Sequence, residues 1–327
     1  MSSVDIIVPC YKYGHYLRQC VESVLSQEGV EVRVLIIDDA SPDDSALIAA
    51  QLAKEDPRVH FVHHRENRGH IATFNEGIEW VSGDYMLLLS ADDYLLPGAL
   101  GRAVALMDKR PDIAFVFGRA QELYPNGRTV DVFTDIARYD KLSSSVIPGL
   151  EFIEVSLSRN RVPTPTTVVR TSIAKQVGGY RVELPHTGDM EMWLRLAARG
   201  AVGMIGERQA VYRRHNTNMS SGYARPHWSD LQERHAALES FLTSSGDLLP
   251  SMATVRSNMQ QELCAEAMRR SRWAFDEGEY QTSLHLRQYA QKLYPRIFAS
   301  AEWIKLVIKQ LLGPAAVNAL RSVLPSR

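Results

Sequence analysis

An alternation constrains this chain more than any other feature. Short apolar runs trade places with helical periodicities through roughly the first 120 residues. Residues 4–8 form an apolar run closed by Pro9, after which Leu17, Cys20, Val21, Val24 and Leu25 recur at helical spacing. Residues 32–37 are rich in β-branched side chains and end in Asp38-Asp39. Ser41-Pro42-Asp43-Asp44 reads as a helix start, with Ser41 as the N-cap, Pro42 at the first helical position and Asp44 three residues on. Residues 59–62 read as a third strand, and Ile71, Phe74, Ile78 and Val81 mark the next helix. Residues 85–89 are apolar throughout, as in a strand buried on both faces. Residues 97–109 are helical and 113–117 give a fifth strand. Strands alternating with helices predict a mostly parallel, doubly wound α/β sheet covered on both faces.

Such a sheet binds ligands at the carboxyl ends of its strands. The polar residues cluster at those ends: Cys10-Tyr11, Asp38-Asp39 and Ser90-Ala91-Asp92-Asp93. No G-x-G-x-x-G or P-loop pattern is present, which argues against a dinucleotide or Walker-type site. A net charge of −1 argues against a nucleic-acid binder, since backbone binding needs a positive excess. It leaves room for a small phosphorylated ligand. With 45% hydrophobic and 23% charged residues, the 327-residue chain has the mix of a soluble globular protein. Cys10, Cys20 and Cys264 form neither a disulfide framework nor a zinc pattern, which points to a reducing compartment. The N-terminus lacks the pattern of a secretory signal, and no run of 18 apolar residues is present. These features predict a cytoplasmic protein.

Residues 121–185 carry weaker periodicity and a Ser-rich stretch, Lys141-Leu142-Ser143-Ser144-Ser145. Past about residue 225 the pattern becomes all-helical. Residues 265–295 are similar to one tetratricopeptide helical hairpin, with Gly278 at the turn. Near the end, Trp303, Leu306, Val307 and Ile308 cluster on a helical stretch with Lys305 and Lys309, broken by Gly313-Pro314 and resumed at Leu320, Val323 and Leu324 beside Arg321. From Ala299 on there are four Lys/Arg and one acid, Glu302. A helix of this kind either docks its apolar face on the rest of the fold or lies peripherally on a membrane surface.

The acidic pairs admit two readings each. Asp38 and Asp39 either complement a helix start or accept hydrogen bonds from a ligand. Asp92 and Asp93 either open another helix or hold a divalent cation that also binds a diphosphate.

Taken in order, the motifs resemble family 2 glycosyltransferases. Val4-Asp5-Ile6-Ile7-Val8-Pro9-Cys10-Tyr11 resembles the family's opening strand, and Ile36-Ile37-Asp38-Asp39-Ala40-Ser41 its second. Asn67-Arg68-Gly69 with Asn75-Glu76-Gly77 resembles the segment between. Gly83-Asp84-Tyr85 leading to Ser90-Ala91-Asp92-Asp93 resembles the stretch bearing the D-x-D metal motif. Gly188-Asp189-Met190-Glu191-Met192-Trp193-Leu194-Arg195 is similar to the acidic motif that supplies a catalytic base. Tyr212-Arg213-Arg214-His215, with Ser220 after it, is similar to the late histidine motif. The resemblance covers residues 1–220 or so, about two-thirds of the chain.

It implies a GT-A fold over residues 1–222, with a helical C-terminal region over 223–327. It implies an inverting, non-processive transfer of one sugar from a nucleotide-sugar, a UDP-sugar above all, to a glycan, lipid-linked or protein-linked hydroxyl in cell-surface glycoconjugate synthesis. By it, Pro9, Tyr11, Asp38, Asp39, Arg68, Ser90, Ala91 and Asp92 contact the donor. Asp92, with His215, holds Mn²⁺ or Mg²⁺, and Asp189 is the base. Read as residues alone, Asp189 is also a helix N-cap and His215 also a structural histidine. Trp193 suits sugar stacking and core packing equally, and Thr164, Thr166 and Thr167, just before a predicted strand at Val168-Val169-Arg170, suit ordinary loop chemistry better than polar contacts to sugar. The processive signature Q-x-x-R-W is absent.

Ser90 stands where the family usually has Asp, and Gly188 where it often has Glu. Both departures favour an alternative reading, a non-catalytic nucleotide-sugar-binding or scaffold protein. Retained Asp92, Asp189 and His215 favour the enzyme. A nucleotidyltransferase would need a Gly-rich basic loop after the first strand, where residues 10–15 hold only Lys12 and Gly14.

Overall fold

The computed structural model describes residues 1–132, 144–156, 158–216, 218 and 227–323. Most of the Ser-rich stretch, Ser220, Leu324 and the expected boundary at 222 lie outside the described residues. The chain runs β1 (Ser3–Cys10), α1 (Gly14–Leu25), β2 (Glu31–Asp38), α2 (Ser45–Glu55), β3 (Val59–His63), α3 (His70–Trp80), β4 (Tyr85–Leu88), β5 (Tyr94–Leu95), α4 (Ala99–Lys109) and β6 (Ile113–Leu123). Then follow β7 (Thr129–Val132), β8 (Ser145–Ile147), α5 (Gly149–Ser156), β9 (Val168–Arg170), α6 (Thr171–Val177), α7 (Gly188–Ala197) and β10 (Ala201–Arg213). The helical region comprises α8 (His227–Ser245), α9 (Met252–Asp276), α10 (Tyr280–Leu293) and α11 (Ala301–Val323).

One mixed sheet organises these elements in the order β3-β2-β1-β4-β9-β6-β10-β5. β3, β2, β1 and β4 are parallel neighbours, and β6 runs parallel to β10. β9 lies antiparallel between β4 and β6. The first and fifth apolar runs therefore belong to one sheet, but a strand from the weakly periodic middle joins its two parallel halves. That strand falls where the sequence places one, at Val168-Val169-Arg170, but three residues do not reveal its antiparallel position between β4 and β6.

Burial follows the two-residue period of a strand. Along β1, Val4, Ile6 and Val8 enter one core with Leu17, Cys20 and Val24 of α1. Ile7 points to the opposite core, with Ile71 and Ile78 of α3. β4 divides the same way, Tyr85 and Leu87 to the first core and Met86 and Leu88 to the second. Strands buried on both faces lose most by truncation, about 2–5 kcal/mol for Ile→Ala. α3 crosses β1 so closely that a Cβ on Gly77 would stand 2.3 Å from Ile7 Cγ2.

The second core continues without a break into the helical region, through Leu231, Leu238 and Phe241 of α8 and Met259, Leu263 and Ala267 of α9. The predicted hairpin is present. Gly278 turns it at φ 86°, and the Ser271 and Ser283 hydroxyls donate to each other's backbone carbonyls at 2.6 and 2.7 Å.

One predicted helix start is displaced. α2 begins at Ser45, with Asp44 as its N-cap residue, and not at Ser41-Pro42. Ser41 is engaged elsewhere: its hydroxyl accepts from Lys12 N at 3.0 Å and its own N–H donates to Asp38 Oδ2 at 3.2 Å. Asp43 supplies the local acceptor instead, taking the Ser45 N–H and hydroxyl.

Candidate active site

The carboxyl ends of β1 and β2 turn sharply and lock together. Lys12 and Ala40 adopt left-handed φ values of 65° and 56°, which cost non-glycine residues about 1–2 kcal/mol each. The Asp39 N–H donates to Cys10 O at 3.0 Å, fastening one turn to the other. Asp39 then organises the next loop. Its Oδ1 accepts from Arg68 N at 2.7 Å and its Oδ2 from Gly69 N at 2.9 Å, while His64 Nδ1 lies 2.7 Å from Oδ1. Asp38 is fully buried. Its Oδ2 lies 2.8 Å from His63 Nδ1, and its Oδ1 has no hydrogen-bond partner among the described residues. Both carboxylates thus anchor the surrounding loops, through Asp38 Oδ2 and both oxygens of Asp39.

These ends open onto a cleft of about 1250 Å³, larger than the ~300–1,000 Å³ of a single small-ligand pocket. Pro9, Tyr11, Asp39, Ser90 and Asp92 line it, and so do Asp189, Thr164, Tyr180 and His186. Asp38, Ala91, Arg68 and His215 lie outside the lining. The Arg68 guanidinium, half-exposed, pairs with Glu76 at 2.7 Å.

Asp92 and Asp93 sit at the end of β4 in different environments. The Asp93 carboxylate accepts from Arg213 N at 2.9 Å. Burial, then the neighbouring Asp92 charge, pushes its pKa well above the usual carboxylate range. The Arg213 guanidinium donates to Asp92 O and to Gln19, and stacks over Tyr16 at 4.5 Å and Tyr94 at 4.9 Å. That fixes the backbone of the pair. Asp92 Oδ2 lies 3.0 Å from His215 Nε2 and accepts from Asn218 Nδ2 at 3.1 Å. Its Oδ1 is buried with no hydrogen-bond partner among the described residues. An orphaned carboxylate oxygen in a polar cleft costs free energy unless a ligand or cation meets it.

Asp189 is the second residue of α7, whose N-cap position is Thr187. Its Oδ2 accepts from the Thr164 hydroxyl at 2.7 Å. Burial raises its pKa, against the hydrogen bonds from Thr164 and Tyr180 and the nearby His70 and His186, which pull it down. Tyr180 is itself held on both sides: its N–H donates to Asn75 Oδ1 at 2.7 Å and its carbonyl accepts from Asn75 Nδ2 at 2.9 Å. Gly188 leaves room for that ring, since a Cβ there would stand 3.2 Å from Tyr180 Cδ1. Farther along α7, Glu191 and Arg195 form a fully buried ion pair at 2.7 Å. Arg195 donates to the carbonyls of Val177, Gly178 and Gly179, fixing the turn that carries Tyr180.

The helical region contributes to this part of the lining. Glu233 of α8 accepts from His186 N at 2.8 Å and Thr187 N at 3.0 Å, tying down the start of α7. Asp230 lies 3.0 Å from His186 Nε2. Trp193 is core, its ring 5.6 Å from that of Phe115. Tyr180, Asn218, Glu233 and Asp230 escaped the sequence reading. Asn218 had one available signal, an amide three residues past His215 in a turn-forming stretch. Thr164, assigned to loop chemistry, is the residue that hydrogen-bonds Asp189.

Residues 5–142 match Glycosyl transferase family 2. An uncharacterized protein of Mycobacterium tuberculosis is 29% identical over 65% of this chain and 67% of its own length. The putative teichuronic acid biosynthesis glycosyltransferase TuaG of Bacillus subtilis is 29% identical over 67% of this chain and 81% of its own length. The chain spans less than a third of two other relatives, glycosyltransferases of Rickettsia felis and Rickettsia bellii, at 31% and 27% of their lengths. Among solved structures, S. aureus TarS 1–349 in complex with UDP-GlcNAc superposes with a TM-score of 0.68 at 16% identity, over 99% of this chain and 93% of that one. With the sheet order, the acids at its strand ends and these matches together, residues 5–142 carry the sequence signature of family 2 glycosyltransferases and the chain has the GT-A fold.

Proposed function

We propose that the chain transfers one sugar, of hexosyl or N-acetylhexosaminyl type, from a UDP-sugar to a hydroxyl of a glycan, lipid-linked or protein-linked acceptor, with inversion at the anomeric carbon. The observation that carries this reading is a pair of carboxylates lining one cleft, Asp92 and Asp189, each chemically unlike a surface acid. Asp92 keeps a buried oxygen without a hydrogen-bond partner among the described residues, and Asp189 is desolvated yet hydrogen-bonded by Thr164.

In this reading Asp189 is the general base. An acceptor hydroxyl is a poor nucleophile near neutral pH, and a carboxylate within hydrogen-bond reach takes its proton as attack develops. Thr164 holds Oδ2 and so fixes the carboxylate plane. The raised pKa makes the ionised form a stronger proton acceptor. In-line attack by that hydroxyl displaces the nucleoside diphosphate from the opposite face and inverts the centre.

Asp92 and His215 are the residues that would hold a divalent cation. The fit rests on the orphaned Asp92 oxygen and on the donor chemistry, carboxylate and imidazole, which Mn²⁺ accepts readily and Mg²⁺ accepts through oxygen. Among the described residues no three His, Cys, Asp or Glu side chains form a metal cluster, so substrate phosphates and water would complete the set. Such a cation, when bound, stabilises the charge gained by the departing diphosphate.

The uridine preference is supported by the fold relative crystallised with UDP-GlcNAc. Cell-surface polysaccharide synthesis is supported by the name of the Bacillus relative. A thermal-shift panel of UDP, GDP, CDP and dTDP, with and without Mn²⁺, tests donor and metal together. UDP alone should stabilise the protein, and only with metal. Stabilisation by another diphosphate would overturn the uridine assignment. Stabilisation by UDP without any release of UDP from UDP-sugars in the presence of acceptor glycans would support the non-catalytic binder instead.

A further inference from the structure

The charge of this chain is strongly divided. Of 37 Lys/Arg and 38 Asp/Glu, seven basic residues and one acid fall from Tyr280 onward, leaving 30 and 37 before it. A chain near neutrality overall is thus acidic through its first 279 residues and basic at its end, an asymmetry that marks an interaction surface.

The structure puts an apolar stripe on the same basic end. α11 docks through Trp303, Leu306 and Gln310. Leu306 is buried, the Arg287 guanidinium lies 5.1 Å over the Trp303 ring, and Gln310 Nε2 donates to Ser283 Oγ at 2.7 Å. The sequence left docking and membrane contact as alternatives for one face, but the helix has two apolar faces. Ile304, Ile308, Leu311 and Leu312 recur at i, i+4, i+7 and i+8, which places them together on the side away from the docked residues. They are exposed at 46%, 50%, 81% and 48%. Phe298, 55% exposed, precedes the helix. Lys305 flanks the stripe, and Lys292 and Arg296 are exposed just upstream.

We infer that this face of α11 seats the protein on an anionic membrane surface, with the aliphatic stripe in the boundary between head groups and acyl chains and the flanking cations on lipid phosphates. The combination fits an interfacial helix, which joins a buried apolar face to electrostatic attraction for anionic lipid. A second copy of the chain fits poorly, because it would bring two basic ends together. No described helix is long and apolar enough to cross a membrane, so the contact is peripheral. The inference is independent of the proposed activity and survives or fails without it.

Co-sedimentation of the full chain with phosphatidylcholine vesicles, with and without phosphatidylglycerol, tests it. The protein should pellet with the anionic vesicles at low salt and be released as salt screens the attraction. The double variant Ile308→Ser, Leu311→Ser alters only exposed positions and should keep the wild-type melting temperature while partition falls at least about tenfold. Lys305→Glu should weaken binding to anionic vesicles and leave the melting temperature alone. A wild-type chain that stays in the supernatant at low salt overturns the inference. So does equal pelleting by the double variant, or a concentration-dependent dimer in sedimentation velocity that the double variant abolishes.

Discussion

Two regions of the cleft lining hold their carboxylates by different means. At the end of β2, Asp39 accepts backbone N–H groups from Arg68 and Gly69. Its charge is spent on the shape of a loop, and the loop shapes the pocket. At the start of α7, Asp189 meets the hydroxyl of Thr164, with Tyr180 beside it, in a desolvated setting. Backbone amides fix a conformation. Burial raises the Asp189 pKa while the two side-chain hydroxyls oppose that rise. Asp92 stands between these cases, with one oxygen held by side chains and the other unclaimed.

The support behind each region differs as well, and that gives the largest expected effect. Arg195→Ala strips the partner from buried Glu191 and three carbonyls, and should cost about 3–5 kcal/mol in chemical unfolding. Arg68→Ala removes a half-exposed guanidinium from Glu76 and should cost under about 1 kcal/mol. Equal costs would erase the distinction. Next comes Asp92→Ala, which should abolish Mn²⁺-dependent stabilisation by UDP in thermal shift and lower transfer by about 10²-fold or more. Full transfer in excess EDTA would remove the metal from the account.

A smaller effect sharpens the role of the hydroxyls. Burial raises the Asp189 pKa and hydrogen bonds pull it down. A base acts when ionised, so activity rises with pH through that pKa. Tyr180→Phe removes a donor that favours the anion, so the acid limb of kcat/KM should move to higher pH by roughly one unit. A purely structural role for Tyr180 predicts a lower rate with the limb unmoved. Ser90→Ala should have the mildest consequence, a few-fold change in donor affinity read by titration, since a hydroxyl is a weak ligand for a hard cation. A loss as large as that of Asp92→Ala would give Ser90 a ligand's role.

What could be read from the sequence follows the same division. The β1–β4 end of the cleft is built from successive βα units whose apolar runs, from residues 4–8 to 85–89, are each local, and whose acids fall at run ends by the logic of the fold. That Asp39, Ser90 and Asp92 line the cleft could therefore be read before the structure. The surroundings of Asp189 depend on contacts that leave no period. β9 is legible as a run at residues 168–170 but its antiparallel pairing is not, Tyr180 reaches Asp189 because Arg195 and Asn75 hold its turn, and Glu233 acts across from another helix. Ser41 shows the opposite failure, a strong local capping signal overridden because the Lys12 turn takes its hydroxyl.

The central claim is that Asp189 takes the proton of the acceptor hydroxyl and has no part in holding the donor. The most direct measurement pairs two readings on Asp189→Asn: the transfer rate, and UDP affinity by calorimetry in Mn²⁺. Asparagine keeps the shape and the Thr164 contact while abolishing the capacity to accept a proton at that carboxylate. The account predicts a loss of transfer of at least ~10²-fold with UDP affinity within a few-fold of wild type. Transfer at a near wild-type rate, or a loss explained entirely by weaker UDP binding, would contradict it.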